Sequence, residues 1–261
     1  MPELAALIFD FDGTIAETER DGHRVAYNAA FADARAGWRW DVPTYGTLLA
    51  VAGGKERLAQ FIARERPDLA HDERATLVAL LHESKRRHFD RLADDLPLRP
   101  GIMRLVAEAR AARVRCAIAT TASPSGVAAL LRRDSTFARA FDVIVAGDAV
   151  PQKKPAPDIY ALALERLGIA ADAALAFEDS AVGLRAARAA GLVTTVTPSM
   201  YTGDERFDGA AAVIAHLGEP GDAAEVSSGP PPARGYVDLT YARELLRTAA
   251  TSAPPNRLPT G

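Results

Sequence analysis

The chain has a single cysteine, Cys116, inside an apolar run, so it cannot form an intramolecular disulfide. That suits a reducing compartment and a buried structural thiol. It also lacks a basic excess: 31 Lys plus Arg stand against 34 Asp plus Glu, a net charge of −3. Nucleic-acid binders carry a strong basic footprint, so no nucleic-acid partner is expected. No apolar run approaches the ~18–20 residues that span a bilayer. The start, Met1-Pro2-Glu3, is not basic, and the apolar stretch after it is broken by Asp10, unlike a secretory signal. No internal repeat is present. The expectation is a cytoplasmic protein with no membrane partner, acting as a monomer.

What the chain does have is the balance of an ordinary globular protein, with 48% apolar and 25% charged residues in 261. That length suffices for one large domain or a core domain with a small cap. Leu4-Ala5-Ala6-Leu7-Ile8-Phe9 is a continuous apolar run ended by Asp10-Phe11-Asp12-Gly13. It reads as a buried parallel strand that delivers carboxylates at its C-terminal end. Similar runs recur at 114–119, 141–146, 173–177 and 192–196. Helical patterns separate them, the clearest at 157–167, with Ile159, Leu162, Ala163 and Leu167 on one face and Gly168 as a stop. The alternation predicts an α/β fold with a parallel sheet and active residues at strand C-termini.

Residues 16–96 break the rhythm and read as helical, a cap inserted after the first strand, with crossing linkers near 14–18 and 92–99. The catalytic core is then 1–15 plus 97–217. From 218 to 261 the tail changes character. Ser227-Ser228-Gly229-Pro230-Pro231-Pro232 and Ala253-Pro254-Pro255 read as too Pro-rich for packed structure, with a short helix near 239–249.

Each candidate site residue has a bland reading beside its chemical one. Asp10 and Asp12 can only cap a loop, or act as nucleophile and as general acid and base. Asp179, after the fourth run, is either a helix cap or a Mg²⁺ ligand that pairs with Asp10. Thr120 and Thr121 end the second run, where backbone amides can meet phosphate oxygens. Lys154 is either solvated or positioned to neutralise charge on a transferring phosphoryl group.

Taken together and in order, Asp10-Phe11-Asp12-Gly13-Thr14, Thr120, Lys154-Pro155-Ala156-Pro157-Asp158 and Glu178-Asp179-Ser180-Ala181-Val182-Gly183-Leu184 resemble the four motifs of the haloacid dehalogenase superfamily. The resemblance, over roughly 4–217, implies a Rossmann-like core, a helical cap, Mg²⁺ and an aspartyl-phosphate intermediate on Asp10. It also implies that Asp12 lends the metal its backbone carbonyl, that Asp12 marks phosphatases rather than dehalogenases, and that Glu178 has a supporting role.

In the cap, Gly53-Gly54 before a helical stretch can expose amides to an anion, with Lys55 and Arg57 adding charge. Leu58, Phe61 and Ile62 form the buried stripe there, with Arg57 outside it. The segments around Thr18–Arg24, Trp38–Val42, Tyr45 and Val51–Arg57 are similar to the CbbY family, which acts on xylulose-1,5-bisphosphate, an inhibitor of Rubisco. By that similarity Glu19, His23, Tyr45, Gly53, Gly54 and Arg57 hold the sugar and its distal phosphate. Rival readings are a β-phosphoglucomutase-like sugar-phosphate mutase, a broad phosphosugar phosphatase and, in another class, a non-catalytic ligand-binding regulator.

Overall fold

The computed structural model describes residues 3–51 and 53–252. The first strand, β1 (Ala6–Phe9), is followed by a π-helical turn at Glu19–His23 and four helices: α1 (Arg24–Asp33), α2 (Val42–Leu48), α3 (Gly54–Glu65) and α4 (His71–Leu92). Then come α5 (Ile102–Ala111), β2 (Arg115–Thr120), α6 (Pro124–Leu131), α7 (Ser135–Ala138), β3 (Val143–Ala146), α8 (Asp158–Leu167), β4 (Ala174–Glu178), α9 (Ala181–Ala189) and β5 (Val193–Val196). The described residues end on β6 (Ala212–Ile214), β7 (Val226–Ser228) and α10 (Leu239–Ser252). The strands form one sheet in the order β3-β2-β1-β4-β5-β6-β7, parallel except for β7.

β1 lies between β2 and β4, and all four of its side chains are buried. Covered faces on both sides explain why the run is apolar without alternation. On one face Leu7, Phe9, Ile118 and Phe177 enter the larger core, with the Phe9 and Phe177 rings stacked at 4.9 Å. On the other, Ile8, Ala117 and Ala176 meet Ile159, Tyr160 and Ala163 of α8. The α8 stripe differs from the expected one. Tyr160 and Leu164 are buried while Leu162 is only partly covered, because the helix leans its second face on β2 and β3. Gly168, in the left-handed region at φ 62°, ends it.

The helical segment between β1 and β2 has its own aromatic core, in which Trp40 meets Tyr27, Phe31, Tyr45 and Phe61 edge-on or tilted, while Phe31 stacks on Tyr27 and Phe61. Asp41 caps α2 by accepting from Thr44 N at 2.8 Å.

The tail differs most from expectation. Ser227 and Ser228, expected to be unpacked, lie in β7 at the sheet edge, where proline nearby is tolerated. Tyr241 donates its hydroxyl to the Pro230 carbonyl at 2.6 Å. On α10, Leu239, Tyr241, Ala242, Leu245 and Leu246 are buried in the larger core, so this segment packs with the sheet. The second Pro-rich run, Ala253-Pro254-Pro255, lies outside the described residues. Among the described residues no helix is long and apolar enough to cross a membrane.

Candidate active site

Asp10 follows β1 directly, and its amide donates to Phe177 O at 2.9 Å, which prolongs the pairing with β4. Glu178 ends β4, and Asp179 comes next. The Asp10, Glu178 and Asp179 carboxylates are buried, with oxygens within 4.8 Å of one another. Burial pushes the Asp10 carboxyl up to about 7, against the opposing pull of the Lys154 ammonium. Asp179 is raised well above the carboxylate range by burial, then by Asp10 and Glu178.

Lys154 Nζ donates to Asp10 Oδ1 and to Glu178 Oε1, each at 2.6 Å. Its own burial disfavours charge, but the two carboxylates outweigh this and hold it protonated. Glu178 Oε2 takes the Asp179 amide at 3.2 Å and Ser180 Oγ at 3.4 Å. Two acids thus share one ammonium, and the third, Asp179, lies beside them. The surplus negative charge and all-oxygen donors fit a hard divalent cation. With Glu178 occupied by protein donors, Asp10 and Asp179 remain to meet it.

Asp12 faces the helical segment instead. It accepts from Thr18 Oγ1, and His23 Nε2 lies 3.4 Å from its Oδ1. Burial would raise its carboxyl, but His23, Thr18 and Lys85 outweigh that and lower it. Gly13 is required between the two aspartates' surroundings. Its φ is 79°, and a Cβ there would sit 2.3 Å from Asp179 Oδ2.

The cap residues form a second polar chain. Glu19 has a carboxylate oxygen within 4.8 Å of the Asp12 and His23 ligand atoms. Tyr45 donates to Glu19 Oε2 at 2.5 Å, and Arg57 donates to Tyr45 Oη at 3.2 Å and to Leu48 O at 3.1 Å. Arg57 is outside the apolar stripe yet buried, because these acceptors let the guanidinium enter. Gly53 opens α3 at φ 87°, and Tyr27 donates to the Gly54 carbonyl at 2.8 Å.

Three expected residues stand less close. Lys55 is exposed and lines a groove of about 670 Å³ between α3 and α4. Thr121 is exposed. Thr120 is buried, and its Oγ1 accepts from Ala122 N at 3.0 Å.

Sequence reasoning missed several residues here. Lys85 of α4 lies 2.9 Å from His23 Nδ1, and burial lowers its ammonium to about 8. Its neighbours Arg86-Arg87-His88 are all polar and give no sign that it turns inward. Tyr160 donates to Glu178 Oε1. Arg99 donates to the Gly13, Thr197, Pro198 and Ala215 carbonyls and pairs with Glu17 at 3.2 Å. It thereby joins both segments that cross between sheet and helices.

A model of haloacid dehalogenase-like hydrolases matches residues 4–191. The chain belongs to that family. Within it, the chain is similar to protein CbbY of Cupriavidus necator, at 46% identity over 224 residues, 84% of this chain and 88% of that one. A CBBY-like protein of Arabidopsis thaliana is 41% identical over 223 residues, 83% of this chain and 70% of that one. Among solved structures, a mutant CbbY from Rhodobacter sphaeroides in complex with xylulose-1,5-bisphosphate superposes with TM-score 0.75 at 44% identity, covering 84% of this chain and 96% of that one. This chain is therefore a haloacid dehalogenase-like hydrolase of the CbbY kind, with an α/β fold, and an enzyme of the phosphatase class.

Proposed function

We propose that this phosphatase hydrolyses a sugar bisphosphate, xylulose-1,5-bisphosphate, with Mg²⁺ as cofactor and through an aspartyl-phosphate on Asp10. One observation carries the reading. Two aspartates one residue apart are given to different partners, Asp10 to Lys154 among buried carboxylates and Asp12 to Thr18 and His23. That is the division of labour between a nucleophile and a general acid–base.

In this reading an Asp10 oxygen attacks phosphorus and the P–O bond to the sugar breaks. Asp12 gives its proton to the leaving oxygen. A phosphoryl group arriving beside Asp12 opposes the depression of its carboxyl and lets it carry that proton. Asp12 then takes a proton from water, whose oxygen attacks phosphorus and frees both inorganic phosphate and the Asp10 carboxylate. Lys154, fixed on Asp10, neutralises charge that grows on the phosphoryl oxygens. Mg²⁺, when held by Asp10, Asp179 and the Asp12 carbonyl, supplies further neutralisation of carboxylate and phosphate charge. Glu19, His23, Tyr45, Gly53, Gly54 and Arg57 would grip the sugar and its far phosphate, and clearing this inhibitor would relieve Rubisco.

Phosphate release across sugar mono- and bisphosphates tests this. The pentulose 1,5-bisphosphate should have far the highest kcat/KM, and EDTA should stop the reaction until Mg²⁺ is restored. Isomerisation of a hexose 1-phosphate instead of hydrolysis would establish the mutase reading.

A further inference from the structure

Glu178 Oε1 has two donors. Lys154 Nζ reaches it at 2.6 Å, and the hydroxyl of Tyr160, in the first turn of α8, donates to the same oxygen. Tyr160 is fully buried, its ring centroid 4.9 Å from Lys154 Nζ and its hydroxyl 3.3 Å from it. Glu178 cannot swing away from this arrangement. Its other oxygen is held by Asp179 N and Ser180 Oγ, and Gly183 lies so close that a Cβ there would fall 2.0 Å from the carboxylate. The ammonium is therefore claimed by two carboxylates, of which only Asp10 is the proposed nucleophile.

A phenylalanine at 160 would fill the same space among Ile8, Ala117 and Ile159. The hydroxyl must therefore be explained by what it bonds. A hydrogen bond to a buried carboxylate is charge-assisted, and in a low-dielectric surrounding it takes up part of that carboxylate's charge. Without it, Glu178 Oε1 would depend on Lys154 alone and draw Nζ towards itself.

We propose that Tyr160 is a positioning residue for phosphoryl transfer: by donating to Glu178, it leaves the Lys154 ammonium directed at Asp10 and the phosphoryl group arriving there. The proposal deepens the phosphatase reading and rests on Asp10 as nucleophile.

The test is Tyr160→Phe in the full chain with Mg²⁺. Because Lys154 still holds one end of Glu178, kcat should fall by about tenfold, the low end for a bond to a charged group. KM should stay unchanged, and the loss should be equal for a sugar bisphosphate and for p-nitrophenyl phosphate. In a double-mutant cycle, Tyr160→Phe should add little on top of Glu178→Gln, since one acts through the other. An unchanged kcat, a rise in KM alone, fully additive losses, or a Tyr160→Phe protein that does not fold would each overturn the proposal. If Asp10→Asn is inactive while Tyr160→Phe keeps full kcat, this inference alone fails. Turnover by Asp10→Asn would remove the reading beneath it.

Discussion

The two halves of the candidate site balance their charge in opposite ways. On the sheet side three buried carboxylates, Asp10, Glu178 and Asp179, crowd together; Lys154 pairs with the first two, and Arg99 tempers the third. On the helical side Asp12 and Glu19 sit among His23, Lys85 and Arg57, joined through Tyr45. In the first group burial, with the neighbouring negative charge added to it, pushes Asp10 and Asp179 up. In the second, acids and bases nearly cancel, and Asp12 is pushed down. A site built to take a cation and a phosphoryl group must be electrostatically incomplete. A site built to recognise a polar substrate can be complete, provided its hydrogen bonds can be exchanged for those of the ligand.

The largest break in this comparison is Asp10→Asn. It removes the proposed nucleophile, so turnover should drop by at least roughly 10⁴-fold for every phosphate ester alike. The fold should persist, because the amide keeps the shape and relieves like-charge crowding. Measured activity above that level, free of wild-type protein, would exclude an aspartyl-phosphate on Asp10.

Arg57→Ala attacks the other half. A lost charge-assisted contact is worth about 1.5–3 kcal/mol, or roughly ten- to a hundredfold. That loss should appear in kcat/KM for a sugar bisphosphate and leave p-nitrophenyl phosphate nearly untouched. Equal harm to both substrates would mean that Arg57 supports α2 and α3, through Tyr45 and Leu48, more than it meets substrate.

The two halves were also unequally legible in the sequence. The central strands, covered on both faces, write themselves as apolar runs, and the motif acids stand at the ends of β1 and β4, so the sheet's middle could be read directly. β6 and β7 are three residues each, too short for a periodic signal, and β7 sits against a Pro-rich run. The packing of α10 depends on a partner surface from distant chain, which composition does not reveal. In the helical half, Lys85 is hidden among Ser84, Arg86, Arg87 and His88, all polar. Only the packing of α4 on α1 shows which of them turns inward. Lys55, expected beside Gly53-Gly54 to meet an anion, is exposed and has its side chain on the groove between α3 and α4. Tyr160 lay outside the stripe expected for α8 and is buried; its hydroxyl partner Glu178 comes from a strand that sequence spacing alone could not set opposite it.

The smallest expected effect sharpens the comparison without any mutation. The Asp10 carboxyl stands at about 7 against an ordinary 3.8, and Asp179 is also raised. Between those values the folded protein binds more protons than the unfolded chain, so in EDTA stability should fall as pH rises from about 4 through 7. One pKa unit is about 1.4 kcal/mol, and each kcal/mol is worth roughly 2–4 °C in Tm for a chain this long, so a fall of several degrees in Tm is expected. Mg²⁺ binds the ionised form, so it should raise Tm at pH 8 and do little at pH 5. The helical half has the opposite sign. Lys85 is lowered to about 8, so the unfolded chain holds its proton to higher pH and this contribution rises with pH above 8. A Tm profile in EDTA that is flat from pH 5 to 8, or a Mg²⁺ increment equal at both ends, would mean that the three carboxylates on the sheet side are not the electrostatically incomplete half.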